Sequence, residues 1–503
     1  MYQNVLEWLE NTSEDKFDKV IYKDVDNSIT FKEVMDKSKA IGSGILEYEY
    51  TDKPIVVLSD RKVNTPVIFF GIIYSGHCYA PLDGTQPEFR LASIAQSIKP
   101  DYIIADEKFY DMAAKIAPDA KLLKAEELME SAICEEKLQK VRSVASITDP
   151  LYIIYTSGST GVPKGVITSH ESLMCYIDAY VEVMGIDDSD VLGNQSPLDY
   201  IAAIRDIYIP IKCKASMFII PKQYFSLPAK LFDALNEEKI TSVGWSVSAL
   251  TIPATMGAFD YTTPKYLKKI CFSGSVMPGK VLAVWQKHVS DALYVNQYGP
   301  TEATASCTYY KVDHQVEDDE KLPIGRPYRN YRVFLLDEED KPVPVGSKGQ
   351  ICVGGPILAL GYYNAPELTA KSFIQNPSNN SYRELIYKTG DLGSYDEDGI
   401  LHFHGRMDRQ IKYMGHRVEL GEIEVAALRV DNMHECCVIF NSEKDQIMLF
   451  YTGECTSKEI AVELRKTLPG FMVPRKVIGL DNMPRLSNGK IDMQALKNYK
   501  SNK

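Results

Sequence analysis

Neither an export leader nor a membrane span is expected from this sequence. Its start, MYQNVLEWLENTSED, lacks a basic stretch followed by an apolar one, and its longest apolar run, near 67–74, is far shorter than the ~20 residues a bilayer-crossing helix needs. A cytoplasmic protein is therefore expected. Neither an internal repeat nor a low-complexity stretch occurs over the 503 residues. The ten cysteines follow no framework spacing, and the one adjacent pair, Cys436 and Cys437, lies in the apolar run CCVIF, so reduced core thiols are expected rather than a disulfide scaffold. Positive charge is also short: 56 Lys plus Arg against 68 Asp plus Glu leave −12, which opposes nucleic acid and anionic membrane surfaces as general partners. The deficit belongs to the first 408 residues, because residues 409–503 carry 15 Lys plus Arg against 12 Asp plus Glu. Core-forming residues are plentiful: 45% hydrophobic with 25% charged is an ordinary globular balance, and the length suits roughly three domain-sized units.

Strand-like apolar runs alternate with helical patterns through roughly the first 400 residues, as in IVVL at 55–58, YIIA at 102–105, SMFII at 216–220 and YVNQY at 294–298. That alternation predicts βαβ units and an α/β fold with mostly parallel sheets. From about 332 to 403 short strands (VFLLD, GQICVGG, ILHFH) are separated by Pro342, Pro344, Gly346 and Asp398-Gly399, which predicts a β-rich subdomain. After GRMDRQ the chain reads as a strand (IKYM), a helix from near Leu420, strands CCVIF and IMLFY, a helix near 457–468 and a Gly/Asn turn, which together make a compact α+β unit. The expected organisation is 1–407 followed by 408–503. His402 and His404 share a strand face, but no third ligand is near in sequence, and a metal pair is not expected.

The most diagnostic stretch is YTSGSTGVPKG at 155–165. Small residues at Ser157, Gly158, Ser159, Thr160 and Gly161 let backbone N–H groups and hydroxyls converge on one anion, and Lys164 adds a point charge. The apolar LYII ahead of it predicts a buried strand, so the loop is expected to leave the end of a sheet, where α/β folds bind ligands. The offsets of Gly158, Gly161 and Lys164 are not those of the Walker loop. A solvated Ser/Gly loop would share the composition; the strand ahead and the Lys behind favour a polyphosphate-binding loop.

Four more motifs follow in order: NQYGPTE at 296–302, YKTGDL at 387–392, GRMDRQIKYMGHRVELGEIE at 405–424 and NGK at 488–490. With SGHCYAPLD at 75–83 and GQICVGGPILALGYYNAPELT at 349–369 they cover nearly the whole chain, which resembles the acyl- and aminoacyl-adenylate-forming ligases. Within that superfamily it is most similar to stand-alone adenylation domains of nonribosomal peptide synthesis and to D-alanine–carrier protein ligases. The resemblance implies a large N-terminal domain of stacked α/β layers with a β subdomain, and a small mobile α+β C-terminal domain. It also implies that ATP, with Mg²⁺, and a carboxylic acid give an acyl adenylate, whose acyl group passes to a phosphopantetheine thiol. By the same resemblance Thr156, Ser157, Gly158, Ser159, Thr160, Gly161 and Lys164 surround the departing phosphates, Thr301 meets the α-phosphate and Glu302 helps hold Mg²⁺. Tyr298 and Asn296 meet adenine with Gly299 beside them, Asp391 accepts from the ribose hydroxyls with Arg406 close by, and Asp408 is the hinge. Lys490 bridges the carboxylate and α-phosphate, then withdraws as rotation brings the loop around Gly415 toward the thiol channel. Such residues suit a reaction in which two anions meet, because the site must neutralise charge and fix geometry.

In relatives that activate α-amino acids, an Asp in an FDxS-like segment pairs with the substrate ammonium. Aligning SPLDYIAAIRDIY at 196–208 without gaps on Pro197 and on Asp206-Ile207-Tyr208 puts Ile201 at that position, and Asp199 would supply a carboxylate only with a two-residue shift. A buried ammonium without a partner is expensive, so the expected substrate is an acid without an ordinary α-amine, an aryl acid among them. The same alignment gives a pocket of Ile201, Arg205, Trp245, Cys271, Ser273, Gln297, Ala305 and Ser306. Ile201 and Trp245 would be apolar walls, and Arg205 and Gln297 would address an acidic, phenolic or carbonyl group, unless Asp206 holds Arg205. No carrier segment with an attachment Ser follows Lys490, so a separate phosphopantetheinylated carrier protein is the expected acceptor. Three alternatives stay open: an amino-acid (D-alanine-type) carrier protein ligase, an acyl- or aryl-CoA ligase using coenzyme A, and a non-catalytic nucleotide-binding protein, which intact Lys164, Glu302, Asp391 and Lys490 disfavour.

Overall fold

Runs apolar on every face must be buried on every side, and the fold places them so. The helix Asn64–Tyr74, which contains the longest apolar run, is buried from Thr65 to Tyr74 and lies in one core with residues from two different sheets, among them Val57 and Ile154 on one side and Leu192 and Val295 on the other. The computed structural model describes residues 3–158, 163–441, 444–486 and 491–499. No helix among the described residues is long and apolar enough to cross a membrane. All ten cysteines are free thiols.

The chain is a mixed α/β protein. One sheet has nine strands and another seven, and helices including His170–Met184 and Ile204–Cys213 pack in the core between them. In the nine-stranded sheet, Val191–Asn194, Ser242–Ser246, Lys269–Ser273 and Leu293–Tyr298 run parallel side by side. Their carboxyl ends therefore open on one edge, the position where open α/β sheets bind ligands. In the seven-stranded sheet Pro150–Thr156 is the expected strand, but the loop after it returns as the antiparallel strand Lys164–Ser169 rather than entering a helix. Any anion held there meets a hairpin, not a helix N-terminus.

A third, five-stranded sheet is built from Arg332–Leu336, Gly349–Gly354, Phe373–Gln375, Leu385–Tyr395 and Leu401–Arg406. Beyond it the hairpin Gln410–Tyr413 and His416–Glu419 leads into the helix Leu420–Ala427 and a sheet of Met433–Asn441, Gln446–Gly453 and Lys476–Gly479. Val418, Ile423, Leu449 and Leu464 share a separate core there. The strands His416–Glu419 and Lys476–Gly479 and the helix Met493–Lys497 have too few apolar residues to stand out in sequence.

Candidate active site

An open cleft with about 880 Å³ of free space lies where the parallel strands end. Residues just past those strand ends line it: Gln195 and Ser196, Ser246, Ser273 and Gly274, and Gly299 with Thr301. Asp391, Arg406 and the hairpin residues Lys412, Met414, Gly415 and Arg417 close its far side.

At one end stands Glu302, fully buried. Its carboxylate accepts from the Tyr362 hydroxyl at 2.7 Å and from Arg417 Nη1 at 2.9 and 3.0 Å, and Lys164 Nζ stands 3.7 Å away. Burial opposes ionisation, but Arg417 and Lys164 outweigh it and draw Glu302 down to about 2. Burial, with Arg417 adding to it, also lowers Lys164 from its usual value. The Ser157 hydroxyl donates to the Arg417 carbonyl at 2.9 Å, whereas the buried Thr156 Oγ1 has no partner. An unsatisfied hydroxyl beside a lysine fits a phosphate. Both oxygens of Glu302 accept from Arg417, so a metal ion fits here only once Arg417 has left. Among the described residues no cluster of three or more His, Cys, Asp or Glu could hold a metal; His402 faces Asp396 at 2.8 Å and His404 faces Ser394 at 2.7 Å. Ser159, Thr160, Gly161 and Lys490 lie outside the described residues.

At the other end of the sheet edge, Tyr298 donates to Asp391, and Arg406 Nη1 meets the other Asp391 oxygen at 2.6 Å. Arg406 also forms a two-pronged pair with Asp408, at 2.7 and 2.8 Å, so the expected hinge residue is linked through Arg406 to the expected ribose acceptor. Asn296 does not line the cleft; its amide donates to the Pro323 carbonyl at 2.8 Å.

Ile201, Arg205, Ser273, Ala305 and Ser306 line the acyl end of the cleft. Arg205 is 2% exposed and donates to the Gly244 carbonyl, while its Nε has no partner and stands 3.8 Å from Asp206. A Cβ at position 244 would overlap the Arg205 guanidinium, so any larger residue there would have to displace it. Cys271 and Gln297 sit beneath the cavity; Gln297 supports Ser306, whose hydroxyl donates to it at 3.3 Å. Trp245, expected as a wall, does not reach the cleft. Alternate strand residues face opposite ways, and Trp245 points into the second core against Phe225 with Nε1 donating to the Gly193 carbonyl. Ser246 lines the cleft instead. Asp199 is directed elsewhere: it accepts from Gln86 Nε2 at 2.6 Å and the Asp83 N–H at 3.1 Å, and burial lifts it to about 6.

The hairpin tip completes the cleft. Gly415, at φ +83°, lies so close to Ser246 that a Cβ would come within 2.7 Å of its Cβ, and its carbonyl accepts from the Tyr200 hydroxyl at 2.7 Å. Sequence reasoning missed Arg417, Lys412 and Tyr362. One signal was available for two of them: Lys412 and Arg417 pair directly across the hairpin, an unfavourable placement for like charges unless each faces an anion. Arg417 faces Glu302, and burial lowers the half-buried Lys412 from its usual value with the Asp391 charge opposing.

A family model described as AMP-binding enzyme matches residues 9–363. Over 495 residues the chain is 30% identical to zwittermicin A synthase ZmaJ of Bacillus cereus, covering 95% of this chain and 91% of that protein. It is 31% identical over 478 residues to bacitracin synthase 3 of Bacillus licheniformis, covering 94% of this chain and 7% of that protein. Counting bacitracin synthase 3, the chain spans between 6% and 42% of the length of five such large relatives. Among solved structures, NpsA-ThdA, an artificially fused adenylation–PCP di-domain from Klebsiella oxytoca, shares the fold with a TM-score of 0.78 at 20% identity, over 95% of this chain and 94% of that one.

Proposed function

Because the chain belongs to the AMP-binding enzyme family, we propose that this AMP-forming ligase adenylates a small carboxylic acid without an α-ammonium group and passes the acyl group to the phosphopantetheine thiol of a separate carrier protein. In the first half-reaction a carboxylate oxygen bonds to the α-phosphorus of ATP and the bond to the bridging oxygen breaks, releasing pyrophosphate. Lys164, the free Thr156 hydroxyl and the loop residues Ser157 to Gly161 hold the departing phosphates, Thr301 steadies the α-phosphate and Asp391, fixed by Arg406, accepts from the ribose hydroxyls. Glu302 is the residue that would hold Mg²⁺, which would supply charge neutralisation for the departing pyrophosphate. Lys490 bridges the two reacting anions. Rotation of 408–503 about Asp408 then exchanges Lys490 for the hairpin, the thiol sulfur bonds to the acyl carbon, AMP leaves and the thiol proton passes to solvent. The docked hairpin, with Gly415 against Ser246, suits this second step.

The observation that supports this reading is one cleft lined by Asp391 with Arg406 and by Ile201, the residue aligned with the ammonium position, and joined through Arg417 to the buried pair of Glu302 and Lys164. The engagement of Asp199 by Gln86 supports an acid without an α-amine, and the PCP partner of the solved relative supports a carrier acceptor. Acid-dependent pyrophosphate exchange with a panel of α-amino acids, β-amino acids and benzoates tests the proposal. Strong exchange is expected from acids without an α-amine; dominant signals from D-alanine or L-amino acids would reject the substrate class. Supplying holo-carrier or coenzyme A as sole thiol, with the thioester read by mass, separates the acceptors.

A further inference from the structure

The segment that walls the acyl end of the cleft is tied to the C-terminal unit at two consecutive residues. The Tyr200 hydroxyl donates directly to the Gly415 carbonyl at 2.7 Å. Asp199 is reached through a chain of side chains: it accepts from Gln86 Nε2 at 2.6 Å, Gln86 Oε1 accepts from Arg90 Nε at 3.1 Å, and Arg90 Nη1 donates to Glu422 at 3.1 Å. Gln86 precedes Pro87 at the entry to the helix Glu88–Ile98, and Arg90 follows four residues later, so one turn of chain sets both groups. Glu422 comes from the helix Leu420–Ala427, and the Arg90 and Glu422 side chains are 10% and 4% exposed.

The direction of each bond in this chain is fixed. A guanidinium only donates, so Gln86 must turn its oxygen toward Arg90, and its amide nitrogen is the end that meets Asp199. Burial raises Asp199 and Glu422 alike, and the charge of Arg90 opposes it at both. One cation thus serves two anions on different units. In the adenylation reading, withdrawal of the helix Leu420–Ala427 removes Glu422 and leaves Arg90 to the pull of Asp199 through Gln86. We infer, resting on that reading, that Gln86 and Arg90 are positioning residues: the chain from Asp199 to Glu422 couples the acyl-pocket wall at 195–201 to docking of the C-terminal unit, so that the wall is set for thiol attack when the unit is docked.

Hydrogen–deuterium exchange of the full chain at pH 8, without ATP or acid, tests the coupling; at that pH Glu422, lifted by burial to about 7, is ionised. Glu422→Leu is expected to raise exchange across residues 195–203, and Gln86→Met to raise it both there and across 420–427, because coupling acts in both directions. The double variant is expected to exchange at 195–203 no faster than Gln86→Met alone, whereas simple uncovering of the cleft would add the two effects. Gln86→Met and Arg90→Lys, which lacks the fork that serves Gln86 and Glu422 together, are each expected to slow acyl transfer from the bound adenylate about tenfold in single turnover. Acid-dependent pyrophosphate exchange is expected to stay within about threefold of wild type in both, a split that general loosening of the fold would not give. Unchanged exchange at 195–203 in Glu422→Leu, additive effects in the double variant, or equal losses of both rates would overturn the coupling. The Glu422→Leu arm decides even where Gln86→Met folds poorly. Failure of the adenylation reading has a different signature, absence of acid-dependent pyrophosphate exchange in the wild type.

Discussion

Arg205 carries the most specific residue-scale consequence. A guanidinium 2% exposed, with one carbonyl partner, an unpartnered Nε and Asp206 at 3.8 Å, retains donors for an acceptor on the far end of the acid. Burial lifts Asp206 to about 6 against the pull of Arg205, which weakens its claim on the guanidinium. Arg205→Leu is expected to raise the KM of acids with a distal carboxylate, phenol or carbonyl by about tenfold to a hundredfold, with much less change for unsubstituted analogues. Equal loss across the panel in steady-state kinetics would make Arg205 structural. This residue was reached from sequence only through the ungapped alignment on Pro197 and Asp206-Ile207-Tyr208 that the resemblance supplied. Trp245 was placed wrongly because a strand of five residues gives no signal for which alternate set faces the ligand.

Among the elements, the helix Leu420–Ala427 docks on the helix Glu88–Ile98 through Glu422 and Arg90, 3.1 Å apart and with side chains 4% and 10% exposed. Burial pushes Glu422 up to about 7 from its usual 4.5, against the opposing pull of Arg90. A raised carboxyl contributes stability that is fully present below about pH 4.5 and is lost as pH rises through 7, because the released state gives up its proton first. The melting temperature of the wild type is therefore expected to fall by a few degrees relative to Glu422→Gln between pH 5 and pH 8. Parallel melting curves for the two proteins would show that Glu422 does not titrate in the docked state. In sequence the LGEIE run at 420–424 announced a helix but not its partner, because Arg90 lies 332 positions away from Glu422.

At the scale of the whole molecule, the proposed mechanism has two units exchange roles over one cleft and assigns Lys490 to the half-reaction in which the hairpin is withdrawn. Lys490→Ala is expected to abolish acid-dependent pyrophosphate exchange while ATP binding, measured by calorimetry, stays within about threefold of wild type. Undiminished exchange would remove Lys490 from the mechanism.

The chain alone determined the α/β class and the family resemblance, since these rest on local periodicity and on motifs whose backbone needs are met by near neighbours. Tertiary structure decided the rest: that Ser246 rather than Trp245 lines the cleft, that Asp199 is engaged by Gln86, and that Arg417 covers Glu302. Each of those outcomes is a long-range pairing of charge or volume, and such pairings are settled only when distant strands and helices fix which groups are buried together.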